Sequence, residues 1–168
     1  MAGVEQITVE AGETGMRLAL LTAAPLLLAL VGMVAIGAHS DRTGERKWHV
    51  VGCALLGAAG LVLAASSQDE LGLLMLAFTA CQIGQRSVAA VFWAIPAALL
   101  GGTAAAAGIA FINSVGNLGG AVGPYLMGEL KQATSGFGAG LLVLAASLSL
   151  LAALVASLPI ARETRHVD

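Results

Sequence analysis

A single arginine lies deep inside a long apolar stretch of this 168-residue chain. Arg86 is the one charged residue between Leu71 and Leu100, and it follows Gln82 and Gln85. In a helix, these i, i+3 and i+4 positions share one face. A guanidinium group offers a planar fork of donors that fits a carboxylate. The pattern therefore predicts a polar helix face that recognises an organic anion.

Two alternatives for Arg86 remain open from the residues alone. Its charge can pair with a carboxylate on a helix outside this chain, or its long side chain can reach a polar interface. Asn113 and Asn117 form a second polar pair, four residues apart and therefore on one face of a helix. Side-chain amides in hydrocarbon need hydrogen-bond partners, so this pair either binds substrate or links helices.

The composition places the chain in a membrane. Hydrophobic residues make up 58% of the sequence and charged residues 11%, whereas a soluble domain carries about 25% charged residues. The net charge of −2 gives no indication of a nucleic-acid partner. Cys53 and Cys81 lie in separate apolar segments without metal-binding or redox spacing. The sequence contains no phosphate loop, catalytic triad or metal-ligand cluster, so it predicts no enzyme, metal or cofactor.

Five apolar segments are close to the length that a helix needs to cross a bilayer, about 20 residues. Ala, Leu and Gly dominate them, and the alternating strands of a membrane barrel are absent from the sequence. The expected fold is an all-α membrane bundle. The third segment is longer than one span needs, so it either tilts or turns near residues 92–96. The expected spans are about residues 18–38, 50–66, 71–95, 104–127 and 137–158. They form a bundle of residues 17–160, which an outside N-terminal segment, 1–16, precedes and a cytoplasmic tail, 161–168, follows.

The basic residues predict the orientation, because Lys and Arg collect on the cytoplasmic side of a membrane. Five of them follow the first and fifth spans, and two, Arg17 and Lys131, lie on the opposite side. We therefore expect a multi-pass protein of the inner (plasma) membrane with its N-terminus outside and its C-terminus in the cytoplasm. An odd number of spans without a basic signal peptide is what a chain shows when it starts partway through a larger membrane protein.

A charged turn, G-A-H-S-D-R-T-G-E-R-K, separates the first two spans. Gly44 allows a tight reversal because glycine tolerates positive φ, and Asp41 can pair with Arg42 or Arg46. The turn either serves only to orient the chain, or acts as a latch that is made and broken as two helix bundles move. The residues assigned to this motif are Gly37, Asp41, Arg42, Gly44, Arg46 and Lys47.

Four glycines of the fourth span, Gly116, Gly119, Gly120 and Gly123, form two overlapping pairs with a spacing of four residues. Small residues at this spacing let membrane helices approach closely. We therefore expect helix packing along this face, with a hinge as the alternative.

The turn pattern G-x-x-x-D-R-x-G-x-R-K resembles a loop signature of the major facilitator superfamily, found between helices two and three and, weakened, between eight and nine. The longer string S-D-R-T-G-E-R-K-W-H-V, residues 40–50, is similar to the eight–nine loop of the anion:cation symporter branch, which includes tartrate, hexuronate and phthalate permeases. F-W-A-I-P, residues 92–96, and the stretches 102–110, 112–120 and 123–125 are similar to helices ten and eleven of these permeases. Members often carry a proline pair just before Phe-Trp, where this chain has Ala90 and Val91.

This resemblance covers about residues 15–159 and implies helices eight to twelve, most of the C-terminal half of a major facilitator bundle. The complete transporter would move a small carboxylate, such as tartrate or a sugar acid, together with a proton. Its partners would be the lipid bilayer, the carboxylate, the proton and an N-terminal half outside this sequence. The alternative is a truncated, non-transporting membrane protein that needs or has lost that half.

The five spans contain no Asp or Glu. A proton-coupling carboxylate would therefore belong to the N-terminal half. His39, His49 and His166 lie near water interfaces, and we expect solvated groups rather than proton relays.

Overall fold

The fold is a bundle of helices. The computed structural model describes residues 2–67, 69–99, 102–134 and 136–159, without the side chains of residues 2–14, 17, 18, 21, 22 and 97–99. This part of the chain is helical apart from short links and contains no strand. The helices are α1 (Ala2–Thr43), α2 (Arg46–Ser66), α3 (Leu71–Phe92), α4 (Ala94–Leu99), α5 (Gly102–Thr134) and α6 (Gly138–Ser157).

α2 lies at the centre of the bundle. It packs against α3 and α6, while α1 packs mainly against α3 and touches α2 only slightly. Two clusters of small and aliphatic side chains fill these contacts, one near the start of α2 and one along its second half. The first comprises Val50, Val51, Ala54, Val91, Ile95, Ala152 and Val155, and the second Ala58, Leu61, Ala64, Ala77, Cys81, Leu141 and Ala145.

Two glycines bring α2 and α3 into backbone contact. A Cβ atom added to Gly60 would lie 2.6 Å from the carbonyl oxygen of Ala77. A Cβ added to Gly84 would lie 2.5 Å from both the carbonyl oxygen of Cys53 and the backbone nitrogen of Gly57. Real Cβ atoms do not come this close to backbone, so only glycine allows the two helices to pack at this distance.

The break between α3 and α4 has a local cause in Pro96. Proline lacks the N–H that would bond the Phe92 carbonyl oxygen four residues earlier, and its ring clashes with that carbonyl group. α3 accordingly ends at Phe92, and α4 follows after Trp93. The helix break thus lies within residues 92–96, the region in which the sequence allows a turn.

Two helices extend beyond the expected spans. α1 continues as one helix from Ala2 to Thr43, so the turn before α2 is reduced to Gly44 and Glu45. α5 has 33 residues and runs through Pro124. At 1.5 Å per residue it is about 50 Å long, which exceeds the roughly 30 Å of a hydrocarbon core.

Within the described residues, four helices are long and apolar enough to cross a membrane: the Ala23–Thr43 part of α1, α2, α5 and α6. α3 has 22 residues, which is sufficient length, but Gln82, Gln85 and Arg86 lower its hydropathy. The prediction of an all-α membrane protein is confirmed. α3 is the one expected span that is not among these four helices.

Candidate functional site

The polar residues of α3 lie on the side that faces away from α2. The buried positions of this helix include Ala77, Gly84 and Val91, whereas Arg86 is exposed. Two residues of helical rotation place Arg86 about 160° around the axis from Gly84. No hydrogen bond or ion pair involves Arg86 in the part of the chain that the structure describes. Its guanidinium group is therefore open to a ligand or to another helix.

The two glutamines share this side of α3 with Arg86. Gln82 is half-buried and Gln85 is exposed. The amide of Gln85 lies 3.7 Å from the Sγ atom of Cys81, a weak contact that leaves most of its hydrogen-bonding capacity unused. The three polar side chains thus form a donor-rich strip that can bind an anionic group.

The structure does not bring the asparagines of α5 to this strip. Asn113 and Asn117 are both exposed, and α5 makes only slight contacts, with α6 and α4. None of the described residues of α5 is buried. The asparagine pair therefore stays a prediction for a contact with groups outside this arrangement.

The glycine face of α5 is equally uncovered. A Cβ atom added at any of its four predicted packing positions would meet nothing within 4 Å. Close helix packing at these positions thus has no counterpart within the described chain, and it stays a prediction, with the hinge as its alternative. The positions are Gly116, Gly119, Gly120 and Gly123.

The signature turn is closed by short-range contacts. Gly44 has a φ of 65°, the left-handed conformation that glycine adopts without strain. Asp41 and Arg46 form an ion pair with an N–O distance of 3.5 Å. Arg42 is exposed, and a Cβ atom on Gly37 would meet nothing within 4 Å. Arg46 is one of the two arginines considered as partners of Asp41.

Lys47 connects the turn to the far end of the chain. Its Nζ atom donates to the carbonyl oxygen of Leu158 at 2.6 Å, and Leu158 caps the C-terminus of α6. A cation at a helix C-terminus interacts favourably with the helix dipole. The turn and the end of α6 therefore lie at the same end of the bundle. Sequence reasoning placed both on one side of the membrane but did not predict this bond.

A histidine pair, also missed as a pair from the sequence, spans the turn. Nδ1 of His39 lies 2.7 Å from Nε2 of His49, and the ring centroids are 5.0 Å apart. The signal was available, since His39 and His49 each lie two residues from the ends of the charged string of residues 41–47. Their ten-residue separation becomes a contact only because the reversal at Gly44 sets the two helix ends side by side.

The well-formed cavity between α3, α5 and α6 is apolar. It has a volume of about 460 Å³ and is lined by Leu74, Phe78, Met127, Phe137 and Leu141. None of these five lining side chains is polar, so none of them can orient an anion. It is therefore a poor candidate for the anion site, which is better placed at Arg86.

A family comparison decides the identity of this bundle. The model of the Major Facilitator Superfamily matches residues 4–167, almost the whole chain, including the charged turn and the polar α3. The chain belongs to the major facilitator superfamily. The resemblance expected from residues 40–50 and 92–125 is thereby confirmed.

Individual members of the superfamily show the same relationship. Two proteins of Agrobacterium vitis, each named "Putative tartrate transporter", are 44% and 43% identical to this chain over 97% and 85% of its length. The inner membrane transport protein RhmT of Escherichia coli is 35% identical over 93% of it. These transporter names and the family support a membrane transport protein rather than an enzyme.

The chain spans about a third of the length of these relatives: 37%, 33% and 36%. No solved structure gives a significant match. Within the described residues, no group of three or more His, Cys, Asp or Glu side chains could hold a metal ion.

Proposed function

We propose that this chain forms helices eight to twelve of a secondary transporter for small organic anions. The observation that carries the proposal is the exposed guanidinium of Arg86 in a 22-residue helix packed between two membrane-spanning helices. In this proposal α3 is a membrane span in addition to the four apolar helices, because its buried face runs along α2 from Ala77 to Val91. Its opposite face lines one wall of the substrate path.

The cost of a charge in a membrane supports a path rather than a lipid contact at Arg86. A charged side chain near the bilayer centre costs on the order of 3 kcal/mol on insertion scales. Lipid cannot supply hydrogen-bond partners, whereas water and an anionic substrate can. Such residues accordingly face a bundle interior or a water-filled cavity. The helices that complete this cavity belong to the part of the transporter outside this sequence.

Arg86 and the relatives' names together suggest the substrate class. The guanidinium of Arg86 fits a carboxylate through two parallel hydrogen bonds, and Gln82 and Gln85 add amide donors and acceptors for hydroxyl groups. We propose a small hydroxylated carboxylate such as tartrate or a sugar acid. Movement with a proton belongs to the same proposal, with the coupling carboxylate in the N-terminal half.

The uncovered face of α5 fits the same assembly. A membrane helix with two exposed amides, Asn113 and Asn117, gains stability from polar partners, and its glycines allow a close neighbour. We propose that helices of the remaining transporter cover this face. Orientation follows from the basic residues, with the Gly44 turn in the cytoplasm of an inner membrane and the N-terminus outside.

A second candidate function is a membrane protein that does not transport. The observation that favours it is that the chain spans about a third of the length of its relatives, since one wall without its opposite half encloses no path. One experiment separates the two. The 168-residue chain is reconstituted in liposomes. In a parallel sample, the liposomes contain a chimaera in which this chain replaces the matching third of the Agrobacterium vitis relative that is 44% identical to it.

We expect uptake of labelled tartrate down an imposed proton gradient by the chimaera and none by the chain alone. Uptake by the chain alone would contradict the view that it supplies only one wall of the path. A chimaera that reaches the membrane in folded form but takes up nothing would favour the second function.

A further inference from the structure

The apolar cavity between α3, α5 and α6 lies toward the end of the bundle opposite the Gly44 turn, near the start of α6. Its lining includes Phe78 of α3, Met127 of α5 and Phe137 beside the first turn of α6. The volume of about 460 Å³ falls within the roughly 300–1,000 Å³ of ligand pockets. Cavities with apolar walls stay free of water and take up apolar molecules instead. Hydrocarbon is therefore the chemistry that fits this cavity.

The cavity is accessible from outside the described bundle. Phe78 and Phe137 both line it, yet they are 37% and 50% exposed. α6 contains no charged residue, and a helix that is apolar on all sides is typical of a membrane span. Leucines on its outer side are exposed: Leu142, Leu150 and Leu154. In a bilayer, the cavity thus opens beside lipid acyl chains.

Lys131 lies at the mouth of the cavity. It follows Met127 by four residues and therefore shares its face of α5, one turn nearer the helix end. Its Nζ atom lies 4.2 Å from the centre of the Phe137 ring. Within the described residues, Lys131 makes no hydrogen bond or ion pair. The ammonium group is thus held over the apolar opening, and its three donors are available to a phosphate group.

A carboxylate lies beside the same opening. The backbone N–H of Leu74, a lining residue, donates to the carbonyl oxygen of Glu70 at 2.9 Å, which places exposed Glu70 one turn before it on α3. Acidic residues predominate at this end of the chain: Glu5, Glu10, Glu13, Asp69, Glu70 and Glu129, against the basic Arg17 and Lys131. This excess disfavours a head group with a net negative charge and favours one that carries both a phosphate and an ammonium group.

We propose that the cavity binds one acyl chain of an aminophospholipid, with the phosphate group on Lys131 and the ammonium group toward Glu70. The phosphate pairs with a cation through a charge-assisted hydrogen bond. The acyl chain fills the space where α5 makes only slight contacts with the bundle, so the lipid ties α5 to α3 and α6. Arg86 lies eight residues beyond Phe78, about 12 Å along α3. The lipid site is therefore separate from the anion site and does not rest on the transport proposal.

Photo-crosslinking in lipid nanodiscs tests this proposal. The 168-residue chain is placed in phosphatidylcholine, whose quaternary ammonium cannot donate a hydrogen bond, with a trace of phosphatidylethanolamine that carries a diazirine on one acyl chain. Mass spectrometry identifies the labelled peptides. We expect labelling around Phe78 and Phe137 that unlabelled phosphatidylethanolamine displaces and phosphatidylglycerol does not. Labelling of the outer leucines of α6 should respond equally to both competitors.

Two variants test the head-group contacts. Lys131→Gln should lower the displaceable labelling on the order of fivefold, since it removes a cation at a membrane surface. Glu70→Gln should abolish the preference for phosphatidylethanolamine over phosphatidylglycerol. Arg42→Gln is the matched control, because it makes the same charge change at the opposite end of the bundle and should leave the labelling unchanged.

Three results would overturn the proposal. The first is cavity labelling that both competitors displace equally, and the second is labelling that Lys131→Gln leaves unchanged. The third is the loss of cavity labelling in the chimaera with the Agrobacterium vitis relative, since a helix of the remaining transporter would then fill the cavity.

Discussion

At the scale of single residues, the basic groups of the signature turn have different physical roles. Arg46 pairs with Asp41 at 3.5 Å, but both side chains reach solvent, and such surface pairs contribute about 0–1 kcal/mol. Lys47 instead bonds a helix-terminal carbonyl group of α6 at 2.6 Å. The bond to α6 joins residues 111 positions apart, so it stabilises tertiary structure and not only the turn.

Lys47→Gln should lower the free energy of unfolding by about 0.5–1.5 kcal/mol, since it removes a charged donor from a helix C-terminus. The measurement is unfolding in a titration with denaturing detergent. Arg42→Gln is the matched control, because it makes the same charge change at an exposed residue in the last turn of α1. It therefore also removes a cation from a helix C-terminus, but not the bond to Leu158. Equal losses in the two variants would show that net charge, and not the bond to Leu158, sets the stability of this end.

At the scale of helices, the fold depends on where glycine lets two backbones meet. The sequence drew attention to the glycines of α5, which form a regular four-residue pattern. The structure places the close contacts at Gly60 and Gly84 instead, between α2 and α3. α2 packs against both α3 and α6, and small residues make up much of these two contacts. A four-residue glycine pattern shows which helix can be approached closely but not which helix approaches it.

Gly84→Ala should destabilise the α2–α3 pair by about 1–3 kcal/mol, the typical cost of overpacking. Its Cβ would lie 2.5 Å from backbone atoms of α2 that cannot rotate away. Gly52→Ala is the control within α2, since a Cβ there meets nothing within 4 Å. The control should be neutral or stabilising by up to about 1 kcal/mol through helix propensity. A Gly84→Ala variant as stable as the control would refute the close packing.

Local sequence signals predicted much of the architecture and only part of the candidate site. Apolar segment lengths predicted helices, and Pro96 marked the region where α3 ends, because both depend on residues close in sequence. The contact of Lys47 with Leu158 and the meeting of His39 with His49 depend on how helices pack, which no single segment encodes. The surroundings of Arg86 are not encoded locally for the same reason, since they depend on which helices pack beside α3.

At the scale of the whole molecule, the bundle has two unlike ends. The turn at Gly44 and the end of α6 lie together at one end, with Arg42, Arg46 and Lys47. The link between α2 and α3 lies at the other end of α2 and carries Asp69 and Glu70. Because basic residues collect in the cytoplasm, this asymmetry predicts the orientation of the chain in its membrane.

Cysteine labelling in intact cells tests that orientation. Cys53 and Cys81 are first replaced by Ala, and a single cysteine is introduced by Thr43→Cys or, as the matched position at the opposite end of α2, Glu70→Cys. An impermeant reagent should label the Glu70→Cys protein from outside and leave the Thr43→Cys protein unlabelled until the cells are opened. The reverse pattern would invert the proposed topology.

The central claim is that Arg86 binds the carboxylate of the transported anion. This is tested by the equilibrium affinity for labelled tartrate of the purified chimaera described above. The unchanged chimaera is compared with its Arg86→Lys and Arg86→Leu variants. Arg86→Leu should weaken binding about tenfold to a hundredfold, because a hydrogen bond to a charged group contributes roughly 1.5–3 kcal/mol. Arg86→Lys should weaken it less, since it keeps the charge but loses the planar fork.

Lys131→Leu serves as the control for this measurement, because it removes a positive charge at the far end of α5 and should leave the affinity unchanged. The affinity for tartrate should decrease from the wild type to Arg86→Lys and then to Arg86→Leu. If the Arg86→Leu protein inserts, folds and binds tartrate as tightly as the unchanged chimaera, Arg86 is a structural or interfacial residue and the proposed anion site is wrong.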